Sequence, residues 1–471
     1  MTTSAVEASN VQRAAGLRRF KPYPAYKDSG VEWLGEIPAG WEVLPAGRLI
    51  ERIEQGWSPV AEDRVAGPDE WAVIKLSAVS HGEFRGHEHK ALPESVAPDR
   101  RYEIYDGDFL LTRANTPQLV GDVCVARGVR PRLMLCDLVY RLRLDRRLVW
   151  PEFLSYWFLS ASGRHQIEVD ARGSSQSMVK VSQGHIRTWR VVAPPAPEQR
   201  AIAAFLDRET ARIDALVAKK ERLIALLQEK RTALITRAIT KGLAPNVPMK
   251  DSGVEWLGEI PDHWEVTRVK NTASKIGSGK TPSGGAEVYV SAGVMLLRSQ
   301  NVHFGGLRLD EVAFIEPKTD AEMSGSRVRD GDVLLNITGA SIGRCCVAHL
   351  DERSANVNQH VCIIRPKPDG FDPAFLAAML ASHAGQTQIF TTENGISRDA
   401  LNFGQIGDLA LALPPLHEQR AIAAFLDREA VKINALLSKV RDAIDRLKEL
   451  RTALISAAVT GKIDVREEVT I

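Results

Sequence analysis

The chain contains 471 residues with a mass of 51.8 kDa and a formal net charge of +2. This length corresponds to about two to four domains, and 44% hydrophobic with 25% charged residues excludes wholesale disorder. The near-balanced charge excludes a polycation, so any nucleic-acid-binding surface would need its positive charge sorted onto one face.

Residues 1–20 are polar and lack the apolar core of a signal peptide, so we expect them to form a frayed tail. No run approaches 18 apolar residues, and no transmembrane helix is expected. The cysteines are odd in number and form no CxxC pair, which favours the reducing cytoplasm and offers no zinc framework. They are Cys124, Cys136, Cys345, Cys346 and Cys362.

An internal duplication is the most informative feature. The segment KDSGVEWLGEIP occurs at Lys27–Pro38 and again, letter for letter, at Lys250–Pro261. Each copy is followed three residues later by a tryptophan, Trp41 or Trp264. Repetition of a whole block at long range indicates two copies of one structural plan.

A second repeated block, EQRAIAAFLDRE, follows a double proline at Glu198–Glu209 and at Glu418–Glu429. Between the blocks the halves diverge but keep common landmarks. The matching pairs are Gly56–Pro59 with Gly279–Pro282, Lys75 with Arg298, and Gly107–Arg113 with Gly331–Ile337. We therefore expect a pseudo-two-fold frame that carries two different recognition surfaces. A recent duplication without functional asymmetry is the alternative.

Each second block opens a strongly helical pattern of about 40 residues, or about 60 Å. Apolar residues at alternating spacings of three and four predict a coiled-coil stripe that ends near Gly242 or Gly461. The stripes comprise Ile213, Leu216, Leu223, Leu227 and Leu234, and Ile433, Leu436, Val440, Ala443, Leu447, Leu450 and Leu454. We expect the two helices to pair antiparallel; a coiled coil that only dimerises the protein is the alternative.

The segments between the frame blocks read as mixed α+β. Short strands are predicted at WAVIKL, DFLLT, VYRLRL, DVLLNI and VCIIRP. Amphipathic helices are predicted at EFLSYWFLSASGRHQIE and PAFLAAMLASHAGQTQI. The predicted fold is α+β, with two pseudo-symmetric α/β domains joined by two long antiparallel coiled-coil helices.

The duplicated frame resembles the specificity subunit of type I restriction–modification enzymes from about Lys27 to Arg466. The matching residues are the two KDSGVEWLGEIP blocks with their tryptophans, the turn Gly279–Pro282, the GD-hydrophobic strands and the PPxxEQRAIAAFLD segments. Two blocks that each occur twice make this resemblance more specific than one short motif.

The resemblance implies that each variable half is a target recognition domain for one half of a split DNA site. It implies helices that set the spacer and dock two methyltransferase subunits, with two restriction subunits in the full complex. S-adenosylmethionine, ATP and Mg²⁺ would be bound by these partners, and this chain would be non-catalytic. The implied organisation is a tail at 1–26, recognition domains at 27–193 and 244–413, and long helices at 194–243 and 414–471, the last including the C-terminal tail.

Motifs for chemistry agree with a non-catalytic chain. GSGKT at Gly277–Thr281 lacks the first glycine of a phosphate-binding loop, because position 274 is Ser274. A turn shaped by Gly and Pro is the preferred interpretation. The sequence contains no DPPY or NPPY tetrad and no HExxH metal site.

Candidate DNA contacts are side chains in divergent loops that can bridge base edges or bind phosphates. In the first half they are Trp57, Lys75, Arg113, Asn115, Arg172, Ser174, Ser175, Gln176 and Lys180. In the second half they are Lys280, Thr281, Arg298, Gln300, Asn301, His303, Asn336, Thr338, Asn394, Ser397, Arg398 and Asn402. Asn358, Gln359 and His360 fit capping as well as base contact. Because the loops differ, we expect an asymmetric target.

Three other classes of protein remain open from the sequence. A duplicated coiled-coil scaffold would show no sequence-selective DNA retention with the methyltransferase. An autonomous DNA-binding regulator would bind tightly and specifically without partners. A nuclease would cleave in a metal-dependent way by itself.

Overall fold

A computed structural model describes residues 20–175, 178–282, 284–393 and 400–469. The chain divides into two compact units. Within the described residues, unit 1 comprises 20–220 and 441–469, and unit 2 comprises 221–440. Each long helix contributes one part to each unit, so the units do not coincide with the sequence domains 27–193 and 244–413.

Unit 1 begins in a hairpin and is built largely from short strands. The strands are β1 (Tyr26–Asp28), β2 (Glu36–Pro38), β3 (Glu42–Pro45), β4 (Ile50–Gln55), β5 (Ala72–Ile74), β6 (Val79–Ser80), β7 (Glu83–Phe84), β8 (His89–Ala91), β9 (Phe109–Thr112), β10 (Ala114–Asn115), β11 (Val123–Val125), β12 (Leu133–Met134), β13 (Val139–Leu144), β14 (Arg172–Ser175), β15 (Met178–Lys180) and β16 (Arg190–Ala193). The helices are α1 (Ala46–Leu49), α2 (Pro151–Leu159), α3 (Ala161–Asp170), α4 (Gln183–Thr188) and the first part of α5 (Ala196–Lys241).

Unit 2 repeats this order. Its strands are β17 (Met249–Asp251), β18 (Glu259–Pro261), β19 (Glu265–Arg268), β20 (Ala273–Ser278), β21 (Val294–Leu297), β22 (Val302–His303), β23 (Gly306–Leu307), β24 (Ala313–Ile315), β25 (Arg327–Val328), β26 (Val333–Asn336), β27 (Cys345–Val347), β28 (Ala355–Val357), β29 (Val361–Pro366) and β30 (Ala410–Leu413). Its helices are α6 (Val269–Thr272), α7 (Pro317–Glu322), α8 (Pro373–Ala381), α9 (His383–Glu393), α10 (Phe403–Asp408) and the first part of α11 (Leu416–Val459).

The main sheets of the two units share one topology. Unit 1 has the antiparallel order β11-β9-β13-β4, and unit 2 has the corresponding order β27-β26-β29-β20. Beside each main sheet lies a smaller sheet with one parallel pair, β5 with β12 or β21 with β28. The predicted strands WAVIKL, DFLLT, VYRLRL, DVLLNI and VCIIRP correspond to β5, β9, β13, β26 and β29. The predicted α+β class and the two copies of one plan are confirmed.

A buried ion pair fixes the two central strands in each unit. In unit 1, Nη1 of Arg141 on β13 donates to Asp108 at 3.1 Å and its Nε donates to Glu54 at 2.5 Å. In unit 2, Arg365 on β29 donates twice to Asp332, each time at 2.7 Å. Asp108 and Asp332 belong to the two GD motifs, so this landmark reflects a shared structural requirement.

Each predicted amphipathic helix is split in two by a serine. Ser160 separates α2 from α3, and its hydroxyl accepts from the amide of Gly163 at 3.2 Å. Ser382 and Gly385 repeat the arrangement between α8 and α9 at 3.1 Å. A side chain at either glycine would overlap the carbonyl of the preceding helix. The prediction of single helices was therefore wrong, because local capping by Ser-x-x-Gly outweighs the apolar periodicity.

The long helices pair antiparallel, as predicted. In unit 1 the start of α5 packs on the end of α11, where Phe205 shares a core with Leu454, and Arg451 donates to Asp214 at 3.0 Å. In unit 2 the end of α5 packs on the start of α11, with Ile239 and Ile422 in one core. Gly242 and Gly461 follow the helices in left-handed conformations, with φ of 70° and 71°.

The predicted stripe is shifted by one residue at several positions. Leu436 is 49% exposed, whereas Leu437 is buried between Ile433 and Val440. Leu216 is likewise exposed, and Val217 packs against the core of unit 1. Adjacent apolar residues fit a spacing of three or four equally well, and tertiary packing chooses between them.

The boundary of the predicted tail is wrong. Phe20 and Tyr23 are buried, although we expected a frayed segment up to Phe20 and a tail up to residue 26. Phe20 meets the ring of Phe205 edge-on at 5.4 Å, and Tyr23 lies 5.3 Å from the ring of Trp41. The segment from Phe20 therefore belongs to the core of unit 1.

Within each unit, the tryptophan that follows the first repeated block contacts the second repeated block. Nε1 of Trp41 donates to Glu198 at 3.1 Å, and Trp264 donates to Glu418 at 3.0 Å. A buried glutamine follows each of these glutamates and bonds main-chain groups of the adjoining turns. Because each block forms part of the other's surroundings, a change in one would require a change in its partner.

Candidate nucleic-acid interface

Strand ends bring the first-half candidates to one edge of unit 1. Gln55 at the end of β4 pairs with Tyr140, and Thr112 at the end of β9 pairs with Val139 at the start of β13. The parallel strands β5 and β12 end beside the same region, because the amide of Trp57 donates to the Leu135 carbonyl at 3.0 Å. Loops that leave these strands therefore share one edge. We define edge 1 as Trp57, Ser58, Lys75, Arg113, Asn115, Asp137 and Lys180.

Edge 1 combines cations with hydrogen-bonding groups. Ala114 pairs with Lys180 between β10 and β15, so Arg113, which directly precedes β10, lies next to the strand that carries Lys180. Arg113 is half-buried and has no ion-pair or hydrogen-bond partner for its guanidinium among the described residues. Nζ of Lys75 lies 4.0 Å from Glu88, and Trp57 faces Tyr102 with ring centroids 6.4 Å apart. This mixture suits contacts to phosphates and base edges.

The second half assembles the corresponding edge of unit 2. Ser278 pairs with Cys362, Asn336 pairs with Val361, and Leu297 pairs with Val357. Three strand ends thus meet at the segment that precedes β29. We define edge 2 as Lys280, Thr281, Arg298, Gln300, Thr338, Gln359 and His360.

Edge 2 contains a short chain of polar side chains. The hydroxyl of Thr338 lies 2.6 Å from Nδ1 of His360, and Nε2 of Gln359 lies 2.9 Å from Nε2 of the same ring. The guanidinium of Arg298 lies 5.5 Å above the ring of Tyr289 and donates to the Glu311 carbonyl at 3.0 Å. Lys280 and Thr281 are exposed beside this chain.

Several predicted side chains are engaged within the protein. Asn301 is buried, accepting from the Arg298 amide at 3.0 Å and donating to the Arg308 carbonyl at 2.8 Å. Asn336 is also buried and donates to the Ser299 carbonyl at 2.8 Å. Asn402 caps α10 by accepting from the Gln405 amide at 2.9 Å. His303 contacts the Gln300 carbonyl at 2.9 Å. These contacts give the four residues structural roles.

For each of the other predicted contact residues, the structure describes the main chain or a single contact, or the residue lies outside the described part of the chain. The main chain of Arg172, Ser174 and Ser175 forms β14, which pairs with β15 beside edge 1. Oδ1 of Asn115 accepts from the next amide, that of Thr116, at 2.8 Å. Gln176, Asn394, Ser397 and Arg398 lie outside the described residues.

Two residues of edge 1 escaped sequence reasoning. The hydroxyl of Ser58 donates to the carboxylate of Asp137, which lies two residues before the start of β13. The equivalent segment of the second half, with Gln359 and His360, was recognised as a candidate. The sequence already aligns Asp137 with this segment, ahead of the strands VYRLRL and VCIIRP, but Asp137 was not selected as a DNA contact.

The thiols of both units are protected from ionisation. Burial raises the pKa of Cys136 and of Cys346 to about 11, and that of Cys362 to about 12. Burial also raises the pKa of Cys124 and Cys345. Thiolate nucleophiles are therefore suppressed at these positions. Within the described ranges, no group of three or more His, Cys, Asp or Glu side chains is arranged to hold a metal ion. No helix in the described part is long and apolar enough to cross a membrane.

Comparison with known proteins finds similarity to one family. The family model "Type I restriction modification DNA specificity domain" matches residues 319–446. The EcoEI specificity subunit of Escherichia coli is 30% identical over 205 residues, which cover 43% of this chain and 34% of that protein. The putative MjaX specificity subunit of Methanocaldococcus jannaschii is 23% identical over 92% of this chain and 96% of its own length. The chain thus spans about a third of one relative and nearly all of the other.

Solved structures show the same fold. A chain from a structure on complex assembly and conformational transition of the type I R-M system matches with a TM-score of 0.70 and 17% identity, covering 91% of this chain and 99% of that chain. The HsdS subunit from Thermoanaerobacter tengcongensis matches with a TM-score of 0.51 and 19% identity, covering 91% and 98%.

The fold matches those solved structures over 91% of this chain. These matches make the chain similar to the specificity subunits of type I restriction–modification systems.

Proposed function

We propose that this chain directs a type I restriction–modification complex to an asymmetric, bipartite DNA site. Edge 1 reads one half-site and edge 2 reads the other. The observation that carries the proposal is that the same strand ends form both edges, while the side chains on them differ. Arg113 and Lys180 of edge 1 correspond to the uncharged Ile337 and Ala400 in unit 2. Edge 2 instead carries Lys280, at the position that Trp57 has in edge 1.

The long helices are proposed to set the spacer and to dock two methyltransferase subunits, with two restriction subunits joining the full complex. Apolar side chains on these helices remain exposed, which suits docking. They are Leu216, Leu223, Leu226, Val431 and Leu436, with exposures from 41% to 63%. The partners would bind S-adenosylmethionine, ATP and Mg²⁺, and the complex would act in the cytoplasm.

The test is to co-express the chain with its cognate methyltransferase subunit and map methylated adenines across the host genome by long-read sequencing. The expected result is one split motif with a fixed gap and two different halves. An assembled complex that methylates no new motif would contradict the proposal and favour a scaffold. Sequence-specific DNA binding by the isolated chain would favour an autonomous regulator.

A further inference from the structure

Asp137 and Gln359 occupy equivalent positions in the two edges. In unit 1 the amide of Arg113 donates to the Leu138 carbonyl at 2.7 Å, and in unit 2 the amide of Ile337 donates to the His360 carbonyl at 3.0 Å. One residue before each acceptor lies Asp137 or Gln359. The strands β13 and β29 begin directly after the acceptors. The same main-chain geometry therefore presents a carboxylate in one unit and an amide in the other.

The carboxylate of Asp137 is held in place but not neutralised. It is half-buried, and Ser58 donates its hydroxyl to Oδ1. Among the described residues, no cation lies within ion-pair distance of Asp137, and Oδ2 has no hydrogen-bond partner. Asp108, by contrast, is paired with Arg141 at 3.1 Å. A free carboxylate on a DNA-facing edge is repelled by phosphate, but it can accept from the exocyclic amino group of a base.

The side-chain amide of Gln359 is also held in place, and its oxygen makes no hydrogen bond within the described part of the chain. Its Nε2 contacts the ring of His360, which in turn contacts Thr338. Its Oε1 is buried without a hydrogen-bond partner in the described part of the chain. Nε of Arg298, which also belongs to edge 2, is in the same state. Unsatisfied buried groups cost free energy, which partners supplied by a bound ligand would recover.

We propose that this position determines base identity in each half-site, an inference that rests on the proposed function. Asp137 accepts a hydrogen bond from the exocyclic amino group of cytosine or adenine in the first half-site. Gln359 forms the paired donor and acceptor contact that an amide makes with adenine in the second half-site. Ser58 acts as a positioning residue for Asp137, and His360 acts as one for Gln359. A different residue at this position in either half would then change the DNA target, while the repeated blocks and the long helices stay the same.

The test is an isosteric substitution, Asp137→Asn, in the complex with the methyltransferase subunit. Binding is measured by competition against three sets of duplexes: the mapped target, targets altered one base pair at a time, and unrelated DNA. Glu94→Gln is the matched control, because it removes the same charge from an exposed side chain of unit 1 outside edge 1. Asp137→Asn should weaken target binding by about tenfold or more and relax one base pair of the first half-site only. Whether that pair is C·G or A·T identifies the amino group.

Ser58→Ala should produce a smaller loss at the same base pair, and Gln359→Ala should relax only the second half-site. The contrary outcome is that Asp137→Asn strengthens binding to every duplex, to the same extent as the control Glu94→Gln. Asp137 would then act only as a repulsive charge, and the inference fails. An unchanged first half-site in the methylation map would overturn it equally. If the wild-type complex yields no split motif, the proposed function fails first, so the two failures are distinguishable. Thermal unfolding of each variant verifies that it is folded.

Discussion

Gly461 lies directly against Pro38, so closely that a methyl group on its Cα would overlap the proline ring. That methyl would also lie 3.0 Å from Cζ3 of Trp41. The residue after the last turn of α11 therefore rests on the first repeated block. Gly242 stands in the same relation to Trp264, where an added methyl would lie 3.2 Å from the indole.

Gly461→Ala should destabilise the protein by more than the strain of its left-handed backbone alone. Gly30→Ala is a matched control, since Gly30 has the same φ of 71° but open space around its Cα. We expect about 1 kcal/mol for Gly30→Ala, and about 1–3 kcal/mol more for Gly461→Ala because of the overlap. Denaturant unfolding measures both. Equal losses would show that the turn relaxes away from Pro38.

Arg141→Met should be strongly destabilising. It would remove the buried one of the two cations that contact Asp108 and leave only the partly exposed Arg143, at 2.7 Å. Breaking a buried pair costs about 3–5 kcal/mol. Arg147→Met is the control, since Arg147 pairs with Asp145 at 2.7 Å on the surface and its loss costs about 1 kcal/mol or less. Chemical unfolding at neutral pH compares them, and similar losses would refute the special role of the buried pair.

The same cluster predicts an acid limb of stability. Burial opposes ionisation of Glu54, but the hydrogen bond and charge of Arg141 outweigh it and keep the Glu54 pKa below its usual value. A carboxyl group whose pKa is depressed in the folded state stabilises the fold at pH values above its unfolded pKa of about 4.3. This stabilisation is lost as the pH falls through the folded-state pKa. Between pH 6 and pH 3, the free energy of unfolding should therefore fall less steeply with decreasing pH in Glu54→Gln than in the wild type. An identical slope would contradict this assignment.

Exchange of residues 41–193 for the corresponding segment of a type I specificity subunit should change one half of the methylated motif. The reason is that edge 1 lies wholly within this segment, whereas edge 2 lies wholly outside it. Genome-wide methylation mapping gives the result directly. A change in both halves would contradict independent reading by the two edges.

Removal of one heptad from each long helix, residues 221–227 and 438–444, should shorten the spacer. Seven helical residues span about 10 Å, which corresponds to about three base pairs of DNA. The deletion leaves the Arg451–Asp214 pair in place. Methylation of a motif with an unchanged gap would refute the role of the helices as a ruler.

Much of the fold could be predicted because the chain states its plan twice. The repeated blocks identified the frame, and short apolar runs located β9, β13, β26 and β29. The phase of the coiled coil could not be fixed, because Leu436 and Leu437 are both apolar and only packing against α5 distinguishes them. The breaks at Ser160 and Ser382 carried a readable Ser-x-x-Gly signal that periodicity obscured.

The candidate site was less accessible to sequence reasoning. Residue type suggested Asn301 and Asn336, but amides that read bases are the same groups that satisfy buried main-chain atoms, and burial decides between these roles. Asp137 was aligned with the Asn358–His360 segment but was not chosen as a contact, because sequence alone did not show how its side chain is held. Its contact with Ser58 joins residues distant in sequence, so only the folded chain displays it.

The burial of all five cysteines turns the thiols into reporters of cooperativity. Cys124 and Cys136 lie in unit 1, whereas Cys345, Cys346 and Cys362 lie in unit 2. An alkylating reagent can reach them only when the surrounding core opens. Mass spectrometry of partly denatured samples would then display adducts of two, three or five labels. The pattern would reveal whether the duplicated halves melt as separate bodies or as a single one.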